Sequence, residues 1–331
     1  MNDLIIHRGP DDEGFFTEKN NDFSLSMGMR RLSIIDLENG SQPFYSEDKK
    51  VVIVFNGEIY NYNKLKTKLL SKDVNFESNS DTEVILRLYL KYGVDSFSYL
   101  DGMFAFSIYD KRVNKIFIAR DFFGEKPLYY KKSNNEFIWA SELKSIVSQL
   151  KNKPHICERS LELFFSLTYI PAPYTIYKDI HKLEPNCFID YSLDDDSFNI
   201  KKIQRKHTNL KYKQSFSSAK IKIRDLVEES VMSRSISDVP LGTFLSGGVD
   251  SSIVSYCLAK NTSKKIDTFS IGFETKKFDE SEKSKIVSKL INSNHHEYII
   301  NEKSLYSNLD KILNNFDEPF ADSSALPTFL V

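Results

Sequence analysis

The residues in this chain best suited to chemistry form the heptad Ser246-Gly247-Gly248-Val249-Asp250-Ser251-Ser252. A short apolar stretch at 241–245 precedes it, and an apolar run with helical spacing at 253–259 follows. That order reads as strand, glycine turn, helix N-terminus. Two adjacent glycines let the backbone approach an anion closely and accept positive φ at no steric cost. The first N–H groups of the helix are unpaired and lie at the positive end of its dipole. Hydroxyls of Ser246, Ser251 and Ser252 add donors, and Asp250 can hold a divalent cation that neutralises phosphate charge. Neither G-x-x-x-x-G-K-[ST] nor G-x-G-x-x-G is present. A loop lacking that Lys suits a leaving pyrophosphate better than a γ-phosphoryl group poised for transfer. The plain alternative is a glycine turn capped by Asp250 or Ser251; the complete heptad favours the phosphate reading.

A second constellation lies in the first half. It comprises His7-Arg8-Gly9-Pro10-Asp11, Arg31-Leu32-Ser33-Ile34-Ile35-Asp36, Asn56-Gly57-Glu58-Ile59-Tyr60-Asn61 and Ser80-Asp81-Thr82-Glu83. Singly, each reads as a turn or loop. Together they supply what an amino-acid carboxamide needs. Arg31 can pair with an α-carboxylate through two N–H groups, and Glu58 or Asp81 can hold an α-ammonium. The Asn56 amide and the Gly57 N–H can point at a developing oxyanion.

These groups need elements to position them. Strands are expected at 51–55, 103–109, 115–119, 127–131 and 136–140, with a weakly alternating stretch at 23–29. Asn56-Gly57 reads as a turn. Helices are expected at 82–92, capped by Asp81, and at 141–148, capped by Ser141. Prolines 154, 171 and 173 suggest a boundary. The acidic knot from Asp194 and the basic run Lys201, Lys202, Arg205, Lys206, Lys211 and Lys213 read as a solvated interdomain loop or hairpin. From 217 onward helices and strands alternate, which implies a parallel, doubly wound sheet with its ligand at the carboxyl ends of the strands. The fold class is therefore α/β, with antiparallel sheets in the first half. The expected division is a first domain at 1–150, a connecting segment at 151–216 and a second domain at 217–331.

A chain of 331 residues can bury two cores, and 40% hydrophobic with 27% charged residues is a globular composition. A net charge of −1 excludes a general polyanion or membrane-surface binder, so no nucleic-acid or membrane partner is expected. Cys157, Cys187 and Cys257 lack metal-site spacing and leave an odd thiol, which fits a reducing cytoplasm. No leader peptide or spanning stretch is read at the sequence level.

The ordered set HRGPDDEG, RRLSIID, FNGEIYNY, SDTEVIL, LDGMFAFSIYD, ARDFFGEKPLYY and ASELKSI resembles the glutaminase half of glutamine-hydrolysing asparagine synthetases. FLSGGVDSS, FSIGF, FDE and DEPFADSSALPTF resemble the N-type ATP-pyrophosphatase half of the same family. The resemblance implies an N-terminal-nucleophile glutaminase fold that releases ammonia. It implies a synthetase domain that adenylates aspartate with ATP and Mg²⁺ and lets ammonia displace AMP. Carried over, it puts Arg31, Leu32, Ser33, Ile34, Ile35, Asn56, Gly57, Glu58 and Asp81 around glutamine. Leu245 and Ile271 flank the adenine, while Ser246, Gly247, Gly248, Asp250, Ser251 and Ser252 hold the phosphates, with Asp250 at the metal. Asp322 and Ser323 fall near the synthetase site. A homodimer is left open.

The chain also departs from that family. Its nucleophile is a Cys directly after the initiator Met, whereas this sequence has Asn2 and no Cys before Cys157. An amide cannot attack a carboxamide. The segment 1–6 resembles the family helix leading into HRGPD, and the second Gly/Asp-rich loop of the family does not occur before Val331. The sequence thus reads as a fragment with an inactive glutaminase site. Two further readings stand beside it: an amidotransferase acting on a sugar acid or another carboxylate, and a non-catalytic glutamine- or ATP-binding subunit.

Overall fold

The computed structural model describes residues 1–204, 213–275, 279 and 281–330, with the backbone alone at 302, 304 and 305. Arg205, Lys206 and Lys211 of the basic run, Phe278 and Glu280 of FDE, and Val331 lie outside the described residues. The chain divides into two compact units, Met1–His207 with Asp317–Phe320, and Thr208–Phe316 with Ala321–Val331.

The first unit opens with a 3₁₀ helix at Asn2–Arg8, then β1 (Asp12–Lys19), β2 (Ser24–Arg31), β3 (Phe44–Tyr45) and β4 (Val51–Ile59). Helices α1 (Tyr62–Leu70) and α2 (Asp81–Tyr92) precede β5 (Gly102–Asp110), β6 (Lys115–Arg120), β7 (Tyr129–Ser133) and β8 (Glu136–Ala140). Then come α3 (Leu143–Val147), α4 (Glu158–Leu167), β9 (His181–Lys182), β10 (Cys187–Ser192) and β11 (Phe198–Lys202). Among the described residues, an antiparallel sheet runs in the order β11-β10-β6-β5-β4-β3. β4 opens with Val-Val-Ile-Val-Phe, all buried, which marks a strand covered on both faces. One face of the sheet, with Val52, Val54, Ile116, Ile118 and Ile189, packs on Leu25, Met27 and Met29, which β2 turns inward by alternation. The other face sets Phe106, Phe117 and Phe188 against Phe97 and Tyr89.

The structure corrects several expectations here. Asn56-Gly57 is not a turn: β4 continues through it to Ile59, with Gly57 opposite Phe104. Gly57 has φ 150°, and a Cβ there would lie 2.0 Å from the Met103 carbonyl oxygen, so the glycine serves a close strand approach. The segment 151–216 is no plain linker, since it carries α4, β9, β10 and β11. β10 is buried throughout and sits between β6 and β11, while the acidic knot forms the turn of the β10–β11 hairpin. Ser80, rather than Asp81, caps α2 by accepting from the Thr82 N–H, and Glu142, not Ser141, occupies the N-cap position of α3.

In the second unit α5 (Phe216–Ser233) leads to β12 (Gly242–Phe244), α6 (Val249–Asn261), β13 (Asp267–Phe273), α7 (Ser281–Leu290) and β14 (Asn294–Ile300). α8 (Glu302–Asn315) and α9 (Ala325–Leu330) follow. The strands pair in parallel in the order β12-β13-β14, with α6 and α7 as the crossovers that parallel neighbours require. This is the expected α/β half. The DEPF segment, read with this half, instead groups with the first unit. The Lys144 N–H donates to Asp317 Oδ2 at 3.0 Å and the Ile176 N–H to Glu318 Oε2 at 3.2 Å, while Lys182 pairs with Glu318.

Candidate functional site

A pocket of about 300 Å³ in the first unit gathers Arg31, Leu32, Ile34, Ile35, Asn56, Gly57, Glu58 and Asp81. Arg31 ends β2, Asn56 and Glu58 share one face of β4 two residues apart, and Asp81 opens α2. Ser33 does not line it; its N–H donates to Asp11 Oδ2 at 2.8 Å, which fixes the loop after β2. The pocket is held from behind by Gln42, whose Oε1 accepts the Phe55 N–H at 2.6 Å and whose Nε2 reaches Thr82 Oγ1 at 3.3 Å. That side chain ties β4 to the first turn of α2.

The pocket brings carboxylates and cations together. Asp81 is 5% exposed and its Oδ2 accepts the Ile59 N–H at 3.0 Å. Burial pushes its carboxyl from 3.8 up to about 6; the Ile59 N–H opposes this, and the neighbouring Glu58 adds to it. Burial also raises the Glu58 carboxyl, against the pull of Lys126. Neither carboxylate forms an ion pair with any described residue. Two partly or wholly desolvated anions facing one small cavity favour a cation brought by a ligand. Opposite them, Arg31 Nη2 donates to the carbonyls of Ile35 at 2.9 Å and Asp36 at 2.8 Å. Its Nη1 and Nε have no hydrogen-bond partner among the described residues, which leaves them donor capacity.

Sequence reading missed Arg8 and Lys126 as lining residues, although both lie in the quoted HRGPD and GEKPLYY stretches. The signal that finds Lys126 is Asp121. This fully buried carboxylate accepts N–H groups of Phe104, Phe123, Glu125 and Lys126 at 2.9–3.2 Å. Arg120 holds the same turn through the carbonyls of Lys126 at 2.8 Å and Gly124 at 2.7 Å. The wrapped turn delivers Lys126 to the pocket, where burial lowers its ammonium and Glu58 counters that effect.

A second, larger cleft of about 1300 Å³ shares Arg8, Met29, Arg30, Phe55 and Asn56 with the first. Asn2 lines it and is engaged structurally, its Nδ2 donating to the Met29 carbonyl at 3.0 Å. No cysteine lines either cavity; Cys187 and Cys257 are buried and Cys157 is half-buried.

In the second unit the heptad connects β12 to α6 as the spacing predicts. Gly247 has φ 80°, and a Cβ on it would lie 2.5 Å from Lys283 Cβ and 2.7 Å from the Ser284 nitrogen. Only glycine lets this loop pass the start of α7. Gly248 stands at the N-cap of α6 without a side-chain cap, so the first helical N–H groups keep their donor capacity. Ser246 Oγ meets Ser251 Oγ at 3.0 Å, and Ser251 Oγ donates to the Gly248 carbonyl at 3.2 Å. Ser252 Oγ is buried with no partner among the described residues, an unmet hydroxyl beside a helix N-terminus. Leu245 is buried at the base of the loop, Ile271 is half-buried on β13, and Asp250 is exposed. Asp322 and Ser323 are exposed as well, and Asp322 Oδ1 accepts from the Ser324 N–H and Oγ in the manner of a turn cap. Among the described residues no group of three or more His, Cys, Asp or Glu side chains could hold a metal. No described helix is long and apolar enough to cross a membrane.

Comparison with known proteins assigns a family domain to each half of the chain. The family model for the glutamine amidotransferase domain matches residues 1–202, and that for asparagine synthase matches 222–331. The chain is 41% identical to putative asparagine synthetase [glutamine-hydrolyzing] 2 of Methanocaldococcus jannaschii, over all of this chain and 67% of that protein. It is 39% identical to asparagine synthetase [glutamine-hydrolyzing] 1 of Bacillus subtilis, over all of this chain and 51% of that protein. A third relative, asparagine synthetase [glutamine-hydrolyzing] 3 of Bacillus subtilis, is 32% identical over 94% of this chain and 52% of its own length. The chain thus spans about half to two thirds of the length of these relatives. With a glutamine amidotransferase domain ahead of an asparagine synthase domain, it belongs to the glutamine-hydrolysing asparagine synthetase family.

Proposed function

We propose that the first unit binds glutamine in the 300 Å³ pocket and that the second carries the phosphate loop of an asparagine-forming ligase. The parent reaction converts ATP, aspartate and glutamine to asparagine, glutamate, AMP and pyrophosphate through a β-aspartyl-AMP intermediate. The observation that carries this reading is convergence. Arg31 from β2, Asn56, Gly57 and Glu58 from β4, and Asp81 from α2 line one cavity of amino-acid size. Arg31 takes the α-carboxylate, Glu58 and Asp81 take the ammonium, and the carboxamide points at Asn56 and the Gly57 N–H.

In the second unit the fit to a nucleotide rests on the unmet Ser252 hydroxyl, the uncapped α6 N-terminus and the glycine-dependent loop. Ser246, Gly247, Gly248, Ser251 and Ser252 hold the phosphates, and Leu245 and Ile271 flank the base. A single exposed carboxylate, Asp250, suits Mg²⁺, which keeps several waters and takes its other ligands from phosphate. When bound, that ion neutralises the charge of the leaving pyrophosphate. A cytoplasmic setting fits the three unpaired cysteines.

Titration calorimetry with L-glutamine tests the first half of the reading, using Arg31→Met as the control. Binding by the wild type that Arg31→Met loses supports it; absence of binding by the wild type refutes it.

A further inference from the structure

Asp36 makes contacts that neither the pocket lining nor the family comparison accounts for. It is 9% exposed and sits at φ 51°, in the left-handed region. Its backbone carbonyl accepts Arg31 Nη2 at 2.8 Å and the Gly40 N–H at 3.0 Å. Its carboxylate is divided between two other segments. Oδ1 accepts the Asn39 N–H at 3.1 Å, and Oδ2 accepts the Asn79 N–H at 2.7 Å. The loop it closes is tight around the guanidinium. A Cβ added at Gly40 would lie 2.0 Å from Arg31 Nη2 and 2.6 Å from the Asp36 carbonyl oxygen.

Asn79 stands two residues before Asp81, in a turn secured from its other side by Lys66. The Lys66 ammonium donates to the Ser78 carbonyl at 2.8 Å and to Asn79 Oδ1 at 2.9 Å. One residue therefore bonds both to the cation expected to meet a carboxylate and to the turn that presents the anion expected to meet an ammonium. In an α-amino acid those two ligand groups hang on the same carbon, so their receptors must keep a fixed separation. We propose that Asp36 is a positioning residue that sets Arg31 against the Asp81 turn, and so makes the pocket select α-amino acids over simple amines. This rests on the reading of the pocket given above.

The test compares L-glutamine with γ-aminobutyramide, which is glutamine without its α-carboxylate, by titration calorimetry on the full chain. Asp36→Ala keeps the backbone carbonyl that holds Arg31 but loses the carboxylate tie to the Asn79 turn, so the separation of the two receptors is no longer fixed and glutamine binding should weaken about 10- to 100-fold. The same variant should change γ-aminobutyramide binding by no more than about twofold, because that ligand presents nothing to Arg31. Asp36→Asn tolerates the left-handed backbone and retains one carbonyl acceptor, so it should recover part of the loss, to within about fivefold of the wild type. Equal weakening of both ligands, or unchanged glutamine binding, overturns the proposal while leaving the pocket reading intact. Absence of glutamine binding by the wild type overturns both. If Asp36→Ala does not fold, Asp36→Asn carries the same test: a loss confined to glutamine supports the role, and an equal loss refutes it.

Discussion

Replacing Asp81 by Asn should stabilise the first unit at neutral pH while removing its affinity for an amino-acid ligand. Asp81 is buried, and its carboxyl is raised from 3.8 to about 6, chiefly by desolvation. Between those two values the folded chain holds a proton that the unfolded chain has released. Stability attributable to this group therefore falls as pH rises through that window, and above pH 6 the full penalty is present. It amounts to about 3 kcal/mol at pH 7.5 and about 1 kcal/mol at pH 4.5, and it vanishes below the unfolded value. Asn removes the ionisation and keeps a carbonyl oxygen for the Ile59 N–H. Urea unfolding followed by fluorescence of Trp139, the sole tryptophan and a β8 residue of the first unit, reads the difference. Asp81→Asn should unfold at higher urea at pH 7.5, with the gain shrinking about threefold by pH 4.5. Titration with glutamine should meanwhile show affinity lost. A variant less stable than the wild type at pH 7.5, or a gain independent of pH, would refute the reasoning.

The same carboxyl sets the pH profile of ligand binding: an ammonium prefers ionised Asp81, so glutamine affinity should fall about 10-fold between pH 7.5 and 5. A flat calorimetric profile would exclude Asp81 as the ammonium partner. Gly247→Ala forces a Cβ against Lys283 at a positive φ, and should cost about 2 kcal/mol or more in the second unit. Circular-dichroism melting checks this, and an unchanged midpoint would mean the loop yields freely. Asp250→Ala should abolish Mg²⁺-dependent ATP binding measured by equilibrium dialysis, with little change in folding because the side chain is exposed. Retained Mg²⁺ dependence would place the ion elsewhere.

Much of the site was legible because its residues fall in runs with strong local meaning. The side-chain chemistry of Arg31, Glu58 and Asp81 singles them out in the sequence, and the cavity collects all three. The strand–loop–helix reading of the heptad holds, since β12, Gly247 with positive φ and α6 follow in order. Errors arose where distant chain decided the outcome. Asn56-Gly57 has the composition of a hairpin turn, but the Met103 carbonyl across the ladder holds the pair in β4. The segment around β10 looked like linker because its local signals are prolines and charges. Its burial comes from pairing with β6, whose partner residues lie about 70 positions earlier. Lys126 was hidden for the same reason, as the carboxylate of Asp121 that shapes its turn also binds Phe104 on β5.

Stability and function pull in opposite directions at this pocket. A fold selected only for stability would neutralise Glu58 and Asp81 or replace them, since desolvating two anions together is unfavourable. Arg87 illustrates that solution a few residues away on α2, where it bonds the fully buried Glu83 at 3.1 Å and the exposed Glu47 at 2.9 Å. The pocket carboxylates lack such a partner, although Lys126 lines the same cavity and tempers Glu58. Arg31, by contrast, is braced by two carbonyls on one nitrogen and left with donors to spare. Unpaired anions and an underused cation in one small cavity are complementary to a zwitterion that supplies both missing charges. Burial that raises the Asp81 carboxyl therefore costs folding stability at neutral pH and leaves the group able to gain from a cationic partner.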